Sequence, residues 1–271
     1  MRTLHYIANA RFPSEKAHSL QIVKMCESFG KAGYQVVLVR PWRFNPERGD
    51  VFEEYNVKKN FRIIALPSVD TVALGYLRFW FQQLTFCVSV FFCAFVHRHD
   101  VTYSRDAFPL SLPTVRTGRK KWASPLGRYN SLIGSLLRRV RGVVVITKGL
   151  KDLYVKKGAD AKKILVVHDA VEPEDFAATE TKDLARARLG SPQDKKVALY
   201  IGRLDGWKGA DTLAAAAEHL NDTLVAFIGG EQGETEAFRA RFEKPLYLGY
   251  RPYRELANNP LAADGLVLPN T

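Results

Sequence analysis

The chain has 271 residues, enough for two domains, and 46% of them are hydrophobic while 25% are charged, as in ordinary soluble proteins. Its 40 Lys and Arg against 28 Asp and Glu give a net charge of +12, which favours anionic partners such as phosphates, nucleic acid or an acidic membrane surface. The three cysteines lie in no metal-binding or redox spacing, which indicates a reducing compartment. We interpret the amino terminus as a core strand rather than a signal peptide.

Strand-like and helix-like segments alternate along the first part of the chain. Strands are predicted at LHYIAN, YQVVLVR, FRIIALP, VTYS, GVVVIT and KILVVH, with LPTV as a further candidate. Helices are predicted at His18 to Lys31, from Phe79, at Arg128 to Val140 and at Lys148 to Lys157. Such alternation implies parallel strands joined by crossover helices.

The segment from Phe79 to Val96 contains 18 residues without a charge, close to the minimum that spans a bilayer. A narrow polar stripe at helical spacing argues against spanning; it consists of Arg78, Gln82, Thr85 and Ser89. We interpret the segment as a helix packed on a sheet, with an unusually wide apolar face. The alternative is that some aromatic side chains meet lipid, with headgroups near Arg78, His97, Arg98 and His99.

The composition changes between Glu172 and Lys196, where the sequence is polar and charged. After this segment, strands and helices alternate again, with strands at KVALYIG, TLVAFIGG, LYLGY and GLVLPN. We therefore predict an amino-terminal domain at residues 1–175, a linker with one short helix at 176–195 and a second domain at 196–271. Because the chain stops directly after a strand, we expect this second domain to be incomplete.

The stretch YIGRLDGWKGADTL places two cations in a turn between a strand and a helix. Gly202 allows the backbone to approach a ligand, while Arg203 and Lys208 offer positive charge next to the start of the helix. The turn could therefore hold a diphosphate. The alternative is an ion pair between Arg203 and Asp205 beside a solvated lysine.

The segment TLVAFIGGEQGE has the same arrangement, with Gly229 and Gly230 at the end of a strand. These glycines suit either a bound ligand or a tight turn. The sequence contains no Walker motif after a strand, no dinucleotide fingerprint in the first βα unit and no nucleophile elbow. The six histidines are scattered, so we predict no metal site.

These segments resemble the family-four retaining glycosyltransferases, which have the GT-B fold of two Rossmann-like doubly wound domains facing a cleft. The stretches that carry the resemblance run from Val143 to Phe176 and from Val197 to Gly209, and FIGGE, YLGYRPYREL and ADGLVLPN are similar to later landmarks of the family.

The resemblance implies where a nucleotide-sugar donor and an acceptor would bind. The donor diphosphate would contact Gly202, Arg203, Lys208 and Gly209 without a metal, and the nucleotide would lie near Gly230, Glu231, Tyr250 and Arg251. The acceptor cleft would include Arg11, Ser14, Glu15, Lys16, Arg105 and Asp106. For these amino-domain residues, a loop or capping role is the alternative.

The chain departs from the family pattern in two places. Arg116 and Gly118 stand where the family has a glutamate and a histidine beside the transferred sugar, so the catalytic residue is unknown. The chain also ends before the family's pair of glutamates, which predicts a truncated chain with an incomplete donor site.

The sequence thus supports a glycosyltransferase of envelope or exopolysaccharide synthesis, impaired by truncation, that moves a sugar from a nucleoside diphosphate to a glycan or lipid-linked acceptor. It would be cytoplasmic, with peripheral contact at an anionic inner membrane face. The alternative is a non-catalytic remnant or binding module that keeps weak nucleotide binding. A nucleic-acid-binding protein is disfavoured, because the usual aromatic and basic modules are missing.

Overall fold

The computed structural model divides into two compact units, Met1–Ala170 and Val171–Thr271. The structure describes residues 1–14, 17–44, 49–69, 76–105, 120–123, 137, 139–176, 180–204, 206–230, 232–251, 253–256 and 258–269.

The first unit is built on a parallel seven-stranded sheet in the order β3-β2-β1-β4-β5-β6-β7. Its strands are β1 (Thr3–Ile7), β2 (Gln35–Pro41), β3 (Arg62–Leu66), β4 (Val101–Ser104), β5 (Lys120–Ala123), β6 (Gly142–Val145) and β7 (Ile164–Val166). Its helices are α1 (Ala17–Lys31), α2 (Val51–Glu54), α3 (Tyr76–Val96) and α4 (Lys148–Lys156), and a 3₁₀ turn covers Ala161–Lys163.

Helices α1 and α3 bury apolar faces in two separate clusters of the first unit. Ile22, Val23 and Cys26 of α1 belong to one cluster with Tyr6 and Leu38. Phe86 and Val90 of α3 belong to another, with Ile7 and Val39. Since neighbouring side chains of a strand point to opposite faces, Tyr6 and Ile7 serve opposite sides of the same sheet. This arrangement covers both faces of the parallel sheet, as such sheets require.

Helix α3 packs on the sheet as predicted, and three of its polar residues, Gln82, Thr85 and Ser89, bind the protein. Gln82 is fully buried. The Ser89 hydroxyl donates to the Pro67 carbonyl at 2.6 Å, and the Thr85 hydroxyl accepts from the Val69 amide at 3.2 Å. Within the residues that the structure describes, no helix combines the length and the hydrophobicity needed to cross a membrane.

The second unit contains a parallel four-stranded sheet in the order β10-β9-β8-β11. Its strands are β8 (Lys196–Ile201), β9 (Thr223–Ile228), β10 (Leu246–Tyr247) and β11 (Gly265–Leu266). Its helices are α5 (Lys182–Leu189), α6 (Ala210–Ala217), α7 (Gln232–Arg241) and α8 (Tyr253–Leu256), with 3₁₀ turns at Pro173–Phe176, Gly206–Lys208 and Asn259–Ala262.

The segment predicted as a linker, residues 176–195, lies within the second unit. Helix α5 begins at a cap, because the Thr181 hydroxyl accepts from the Leu184 amide, and it ends at Gly190 in the left-handed region. Ala185 and Leu189 of this helix form a small apolar cluster with Ala262. These buried positions could not be predicted from the polar composition of the segment.

Asp264 connects α5 to the sheet of the second unit. Its carboxylate accepts from the Arg186 guanidinium at 2.6 Å and from the Val197 amide at 2.7 Å, and it also pairs with Lys182. Arg186 is buried, and its Nε donates to the Ala262 carbonyl at 3.0 Å. The hydrogen bond from Lys182, together with that from the Val197 amide, lowers the pKa of Asp264 to about 2.

Several segments differ from their predicted bounds. Strand β5 was not predicted, because KKWA has none of the apolar alternation of a half-buried strand. Strands β7, β10 and β11 are shorter than their apolar sequences suggested. The candidate strand LPTV and most of the helix predicted at 128–140 fall outside the described residues.

We predict that Asp264→Asn destabilises the second unit at neutral pH and removes part of its acid sensitivity. The folded-state pKa of about 2 lies below the ordinary value of 3.8, so this carboxylate stabilises the fold above about pH 4 and loses that effect as the pH falls towards 2. The melting temperature of the full chain, followed from pH 7 to pH 2, measures this. Asp194→Asn, at an exposed position, is the matched control. Identical pH profiles for wild type and Asp264→Asn would contradict the prediction.

Candidate functional site

The turns that follow β8, β9 and β10 meet at the carboxyl edge of the second sheet. The Gly202 amide donates to the Ile228 carbonyl, and the Gly229 amide donates to the Gly249 carbonyl, both at 2.9 Å. In open parallel sheets, this edge is where ligands bind. The predicted donor-binding turns are therefore next to each other in the structure.

Two of these turns touch through their backbones. A Cβ atom on Gly229, whose φ is +123°, would lie 2.0 Å from the Gly202 carbonyl oxygen. A Cβ atom on Gly209, whose φ is +73°, would lie 1.9 Å from the Pro269 carbonyl oxygen. Both positions therefore require glycine for the space as well as for the backbone angle.

Arg203 belongs to a turn whose backbone is hydrogen-bonded to the buried side chain of Tyr200. The Tyr200 hydroxyl donates to the Arg203 carbonyl at 2.6 Å. The guanidinium of Arg203 lies 3.8 Å from the Glu234 carboxylate in the first turn of α7, and both side chains are largely exposed. An exposed pair of this kind contributes little to stability. Asp205, the alternative partner considered for Arg203, lies outside the described residues.

Lys208 ends the 3₁₀ turn that leads into α6. Its ammonium lies 5.2 Å from the ring centroid of the exposed Trp207. Gly209 occupies the N-cap of α6 and supplies no side-chain hydrogen bond to the first amides of the helix. Lys208 and these amides place positive charge at one end of the turn, while Arg203 supplies it at the other. That the two cations converge on one diphosphate stays a prediction.

A cavity of about 380 Å³ lies between α7 and the ends of β9 and β10. It brings together Gly230 and Tyr250, two of the residues predicted to bind the nucleotide, and it is also lined by Thr235, Glu236, Arg239, Tyr247, Leu248 and Gly249. A volume of this order is within the range of small-ligand sites.

Thr235 and Tyr247 shape the polarity of this cavity. The Thr235 hydroxyl is buried and has no hydrogen-bond partner within the described part of the chain. Burial raises the pKa of Tyr247 to about 12, and its hydroxyl donates to the Phe242 carbonyl at 2.8 Å. Tyr247 therefore stays neutral, while Thr235 offers a hydrogen bond to a ligand. Sequence analysis missed Thr235, because a threonine inside a helix carries no distinctive signal.

Arg251 follows Tyr250 and is partly buried. Its Nε is buried and lacks a hydrogen-bond partner among the residues that are described. The predicted site residue Glu231 lies outside the described residues.

The amino-domain residues predicted to bind the acceptor follow strands β1 and β4. The Arg11 carbonyl accepts from the Ser19 hydroxyl at 3.2 Å, and a guanidinium nitrogen of Arg105 donates to the Gln21 side chain at 2.6 Å. The Ser14 amide and carbonyl both bind the Tyr55 hydroxyl at 2.7 Å, which supports a structural role for Ser14. Glu15, Lys16 and Asp106, and also Arg116 and Gly118, lie outside the described residues.

Arg43 is a further cation at the carboxyl edge of the first sheet, which sequence analysis did not identify. It follows β2 and donates hydrogen bonds to the side chains of Asn9 and Gln82. Arg11, Arg43 and Arg105 thus follow β1, β2 and β4, which are neighbours in the sheet order β2-β1-β4. The position of Arg43 shortly after the strand YQVVLVR was the available signal.

No family model matches the chain, but curated relatives are similar to part of it. D-inositol 3-phosphate glycosyltransferase 1 of Catenulispora acidiphila and the D-inositol 3-phosphate glycosyltransferase of Streptomyces bingchenggensis are each 35% identical over 131 residues. These matches include 42% of this chain, and they span only 31% and 29% of the relatives' own length. The putative teichuronic acid biosynthesis glycosyltransferase TuaC of Bacillus subtilis is 35% identical over 91 residues, which is 34% of this chain and 23% of TuaC.

Solved structures are similar over nearly the whole chain. Sucrose-phosphate synthase of Thermosynechococcus elongatus superposes with a TM-score of 0.80 at 15% identity, over 100% of this chain and 76% of that one. HepE of Anabaena in complex with UDP and glucose gives a TM-score of 0.68 at 15% identity, over 98% and 73% of the two chains. WaaG, a glycosyltransferase involved in lipopolysaccharide biosynthesis, gives 0.69 at 15% identity, over 98% and 75%.

The chain has the GT-B fold. Both units are parallel α/β sheets of the Rossmann-like kind, so the predicted fold class is confirmed.

We predict that Gly209→Ala destabilises the chain more than Gly190→Ala. The two glycines have similar φ values, +73° and +65°, but a Cβ on Gly190 would meet nothing within 4 Å. Gly190→Ala should therefore cost about 1–2 kcal/mol for the left-handed backbone alone. Gly209→Ala should cost about 1–3 kcal/mol more, because the Pro269 backbone must move. Urea unfolding of both variants tests this, and equal losses would show that the contact with Pro269 is unimportant.

Proposed function

We propose that this chain belongs to a glycosyltransferase of glycan or polysaccharide synthesis that takes its sugar from a nucleoside diphosphate. The observation that carries the proposal is the carboxyl edge of the second sheet, where Arg203 and Lys208 flank a glycine turn next to the cavity at Gly230 and Tyr250. The names of the curated relatives support the same activity.

The two parts of the donor would bind at the glycine turn and at the cavity. The diphosphate would bind Arg203, Lys208 and the amides at the start of α6, since guanidinium and ammonium groups are suited to phosphate oxygens. The nucleoside would enter the cavity beside Gly230, with hydrogen bonds from Thr235 and contacts with Tyr250 and Arg251. Glu231 would lie along the nucleotide, as the resemblance implies. HepE was solved with UDP, which makes uridine diphosphate the first probe to use.

The chemistry requires stabilisation of the leaving diphosphate. Negative charge grows on the diphosphate as the bond to the sugar breaks, and preorganised cations lower the energy of that transition state. Arg203 and Lys208 would supply these charges without a metal. Membership of family four and retention of the anomeric configuration are part of this proposal.

The acceptor would bind the carboxyl edge of the first sheet. Arg11 and Arg105 were predicted there, and Arg43 adds a third guanidinium after the neighbouring strand. Three arginines suit an acceptor that carries a phosphate or a carboxylate. We propose a glycan or lipid-linked acceptor, with the protein in the cytoplasm at the membrane. The comparisons do not favour the alternative of a non-catalytic remnant.

We predict that Arg203→Ala and Lys208→Ala each weaken UDP binding by roughly 10- to 100-fold, since a hydrogen bond to a charged group is worth about 1.5–3 kcal/mol. Binding of UMP, which has one phosphate fewer, should change less. Thr235→Val, in contrast, should weaken UDP and UMP alike. Isothermal titration calorimetry of the full chain measures the affinity of each of the three variants for UDP and for UMP.

Lys195→Ala is the matched control for these variants, because Lys195 is exposed in the same unit and its loss changes the net charge equally. UDP affinities of Arg203→Ala and Lys208→Ala that equal that of Lys195→Ala would refute the diphosphate site. UDP binding without loss in Thr235→Val would refute only the placement of the nucleoside.

We predict that Glu234→Gln strengthens UDP binding by up to about fivefold. The Glu234 carboxylate lies 3.8 Å from the Arg203 guanidinium, so it competes with the diphosphate for this cation. An exposed pair is worth about 0.2–1 kcal/mol, which sets the size of the gain. Glu243→Gln, at an exposed position of the same unit, is the control in the same titration. Weaker UDP binding by Glu234→Gln would show instead that Glu234 holds Arg203 in its binding position.

A further inference from the structure

Helix α3 exposes a continuous apolar stripe, which we call the α3 stripe: Phe81, Leu84, Val88, Phe92, Phe95 and Val96. These residues are spaced three or four positions apart along most of the helix, so they share one face. Their exposed fractions run from 43% to 72%. The opposite face, which includes Phe86 and Val90, is buried against the sheet.

Three polar side chains of α3 form hydrogen bonds with the protein. Gln82 accepts from Arg43, Ser89 donates to the Pro67 carbonyl, and Thr85 accepts from the Val69 amide. An ordinary surface helix shows the reverse arrangement, with its polar side chains towards solvent. An exposed apolar face of this length is typical of an interaction surface.

A basic cavity of about 770 Å³ continues from the carboxyl end of the α3 stripe. Val96 belongs to both features, and the cavity is lined with Lys59, Arg62, His97 and Arg98. Thr3, Gln35 and Arg62 also line it, and these residues begin β1, β2 and β3. The cavity is therefore at the amino edge of the first sheet, whereas Arg11, Arg43 and Arg105 follow the carboxyl ends of its strands.

Nearby carboxylates offset part of the positive charge of this cavity, since both Asp50 and Glu53 lie close to Lys59. Asp50 pairs with Lys59 at 2.8 Å, and the Asp100 carboxylate accepts from the Thr3 amide at 2.8 Å. Arg62 and Arg98 are exposed, and neither has an ion-pair partner in the part of the chain that the structure describes. Two guanidinium groups are thus available for an anion at the end of an apolar surface.

We propose that the α3 stripe and the basic cavity dock the first unit on an anionic lipid bilayer. The aromatic side chains would enter the boundary between headgroups and acyl chains, while Arg62 and Arg98 would contact lipid phosphates. Charge favours this occupant over a second copy of the chain, because two copies would each bring a net charge of +12 and the same cationic cavity. The surface is separate from the donor site, so the proposal does not depend on the proposed activity.

The test is flotation of the full chain with vesicles of phosphatidylcholine alone and of phosphatidylcholine with phosphatidylglycerol. We expect binding to the anionic vesicles only. The double variant Arg62→Glu, Arg98→Glu should weaken it at least about tenfold, since each basic residue near an anionic surface contributes to binding. The double variant Phe92→Ser, Phe95→Ser should weaken it similarly, because it removes the inserted side chains.

Two controls separate this surface from general charge and general hydrophobicity. Lys156→Glu changes an exposed charge on α4, and Leu184→Ser changes an exposed apolar residue on α5, and both should bind like wild type. Circular dichroism spectra and melting temperatures check that each variant folds. Unchanged vesicle binding in both double variants would overturn the proposal. A dimer in size-exclusion chromatography that dissociates in Phe92→Ser, Phe95→Ser would also overturn it, in favour of a second copy as the occupant.

Discussion

At Gly229 the backbone of one strand-end turn lies against the carbonyl oxygen of Gly202 in the next, with room for no Cβ between them. This contact fixes the distance between the turns that follow β8 and β9. Arg203 follows directly after Gly202, and Gly230 follows directly after Gly229, so the side chain that we propose to bind phosphate and the wall of the cavity that we propose to hold the nucleoside are carried by touching segments of backbone. Gly209 repeats the arrangement against Pro269, which holds the start of α6 beside the end of β11. Preorganisation of this kind lets backbone amides and cations face a ligand without first being ordered by it.

The carboxyl edge also depends on how the opposite end of the second sheet is held. Asp264 precedes β11 and accepts hydrogen bonds from the start of β8 and from α5, so one carboxylate positions two neighbouring strands and a helix. The link between Asp264 and α5 depends on the buried side chain of Arg186. Its guanidinium would be costly to bury alone, and it is satisfied by Asp264 and by the carbonyls of Ala262 and Gln193. A polar segment that looks like a linker in sequence is thereby an integral part of the unit.

Much of the fold could be predicted from sequence because β1, β2, β8 and β9 are apolar runs separated by helices with a clear apolar face. Strand β5 could not, since its hydrogen bonds to β4 and β6 define it and its side-chain pattern does not. The turns around Gly202 and Gly229 were found because glycines at a strand end, accompanied by cations after Gly202, are a recognisable pattern. Thr235 was not, because its relevance arises from burial beside a cavity. Helix α3 shows the same limit: periodicity identifies which residues share a face, but it does not identify which face the sheet covers.

The positions of the arginines in the fold help to explain the net charge of +12. A general preference for anions would need only scattered lysines on the surface, whose effect is long-range and screened by salt. Here several arginines lie at the edges of the two sheets. Arg203 lies at the carboxyl edge of the second sheet, Arg11, Arg43 and Arg105 follow the strands at the carboxyl edge of the first, and Arg62 and Arg98 are at its amino edge. Parallel strands place these two edges of one sheet at opposite ends, so a single anion cannot use both. The basic cavity at the amino edge adjoins Val96 at the end of the α3 stripe, so this end of the sheet suits an anion that is attached to something apolar.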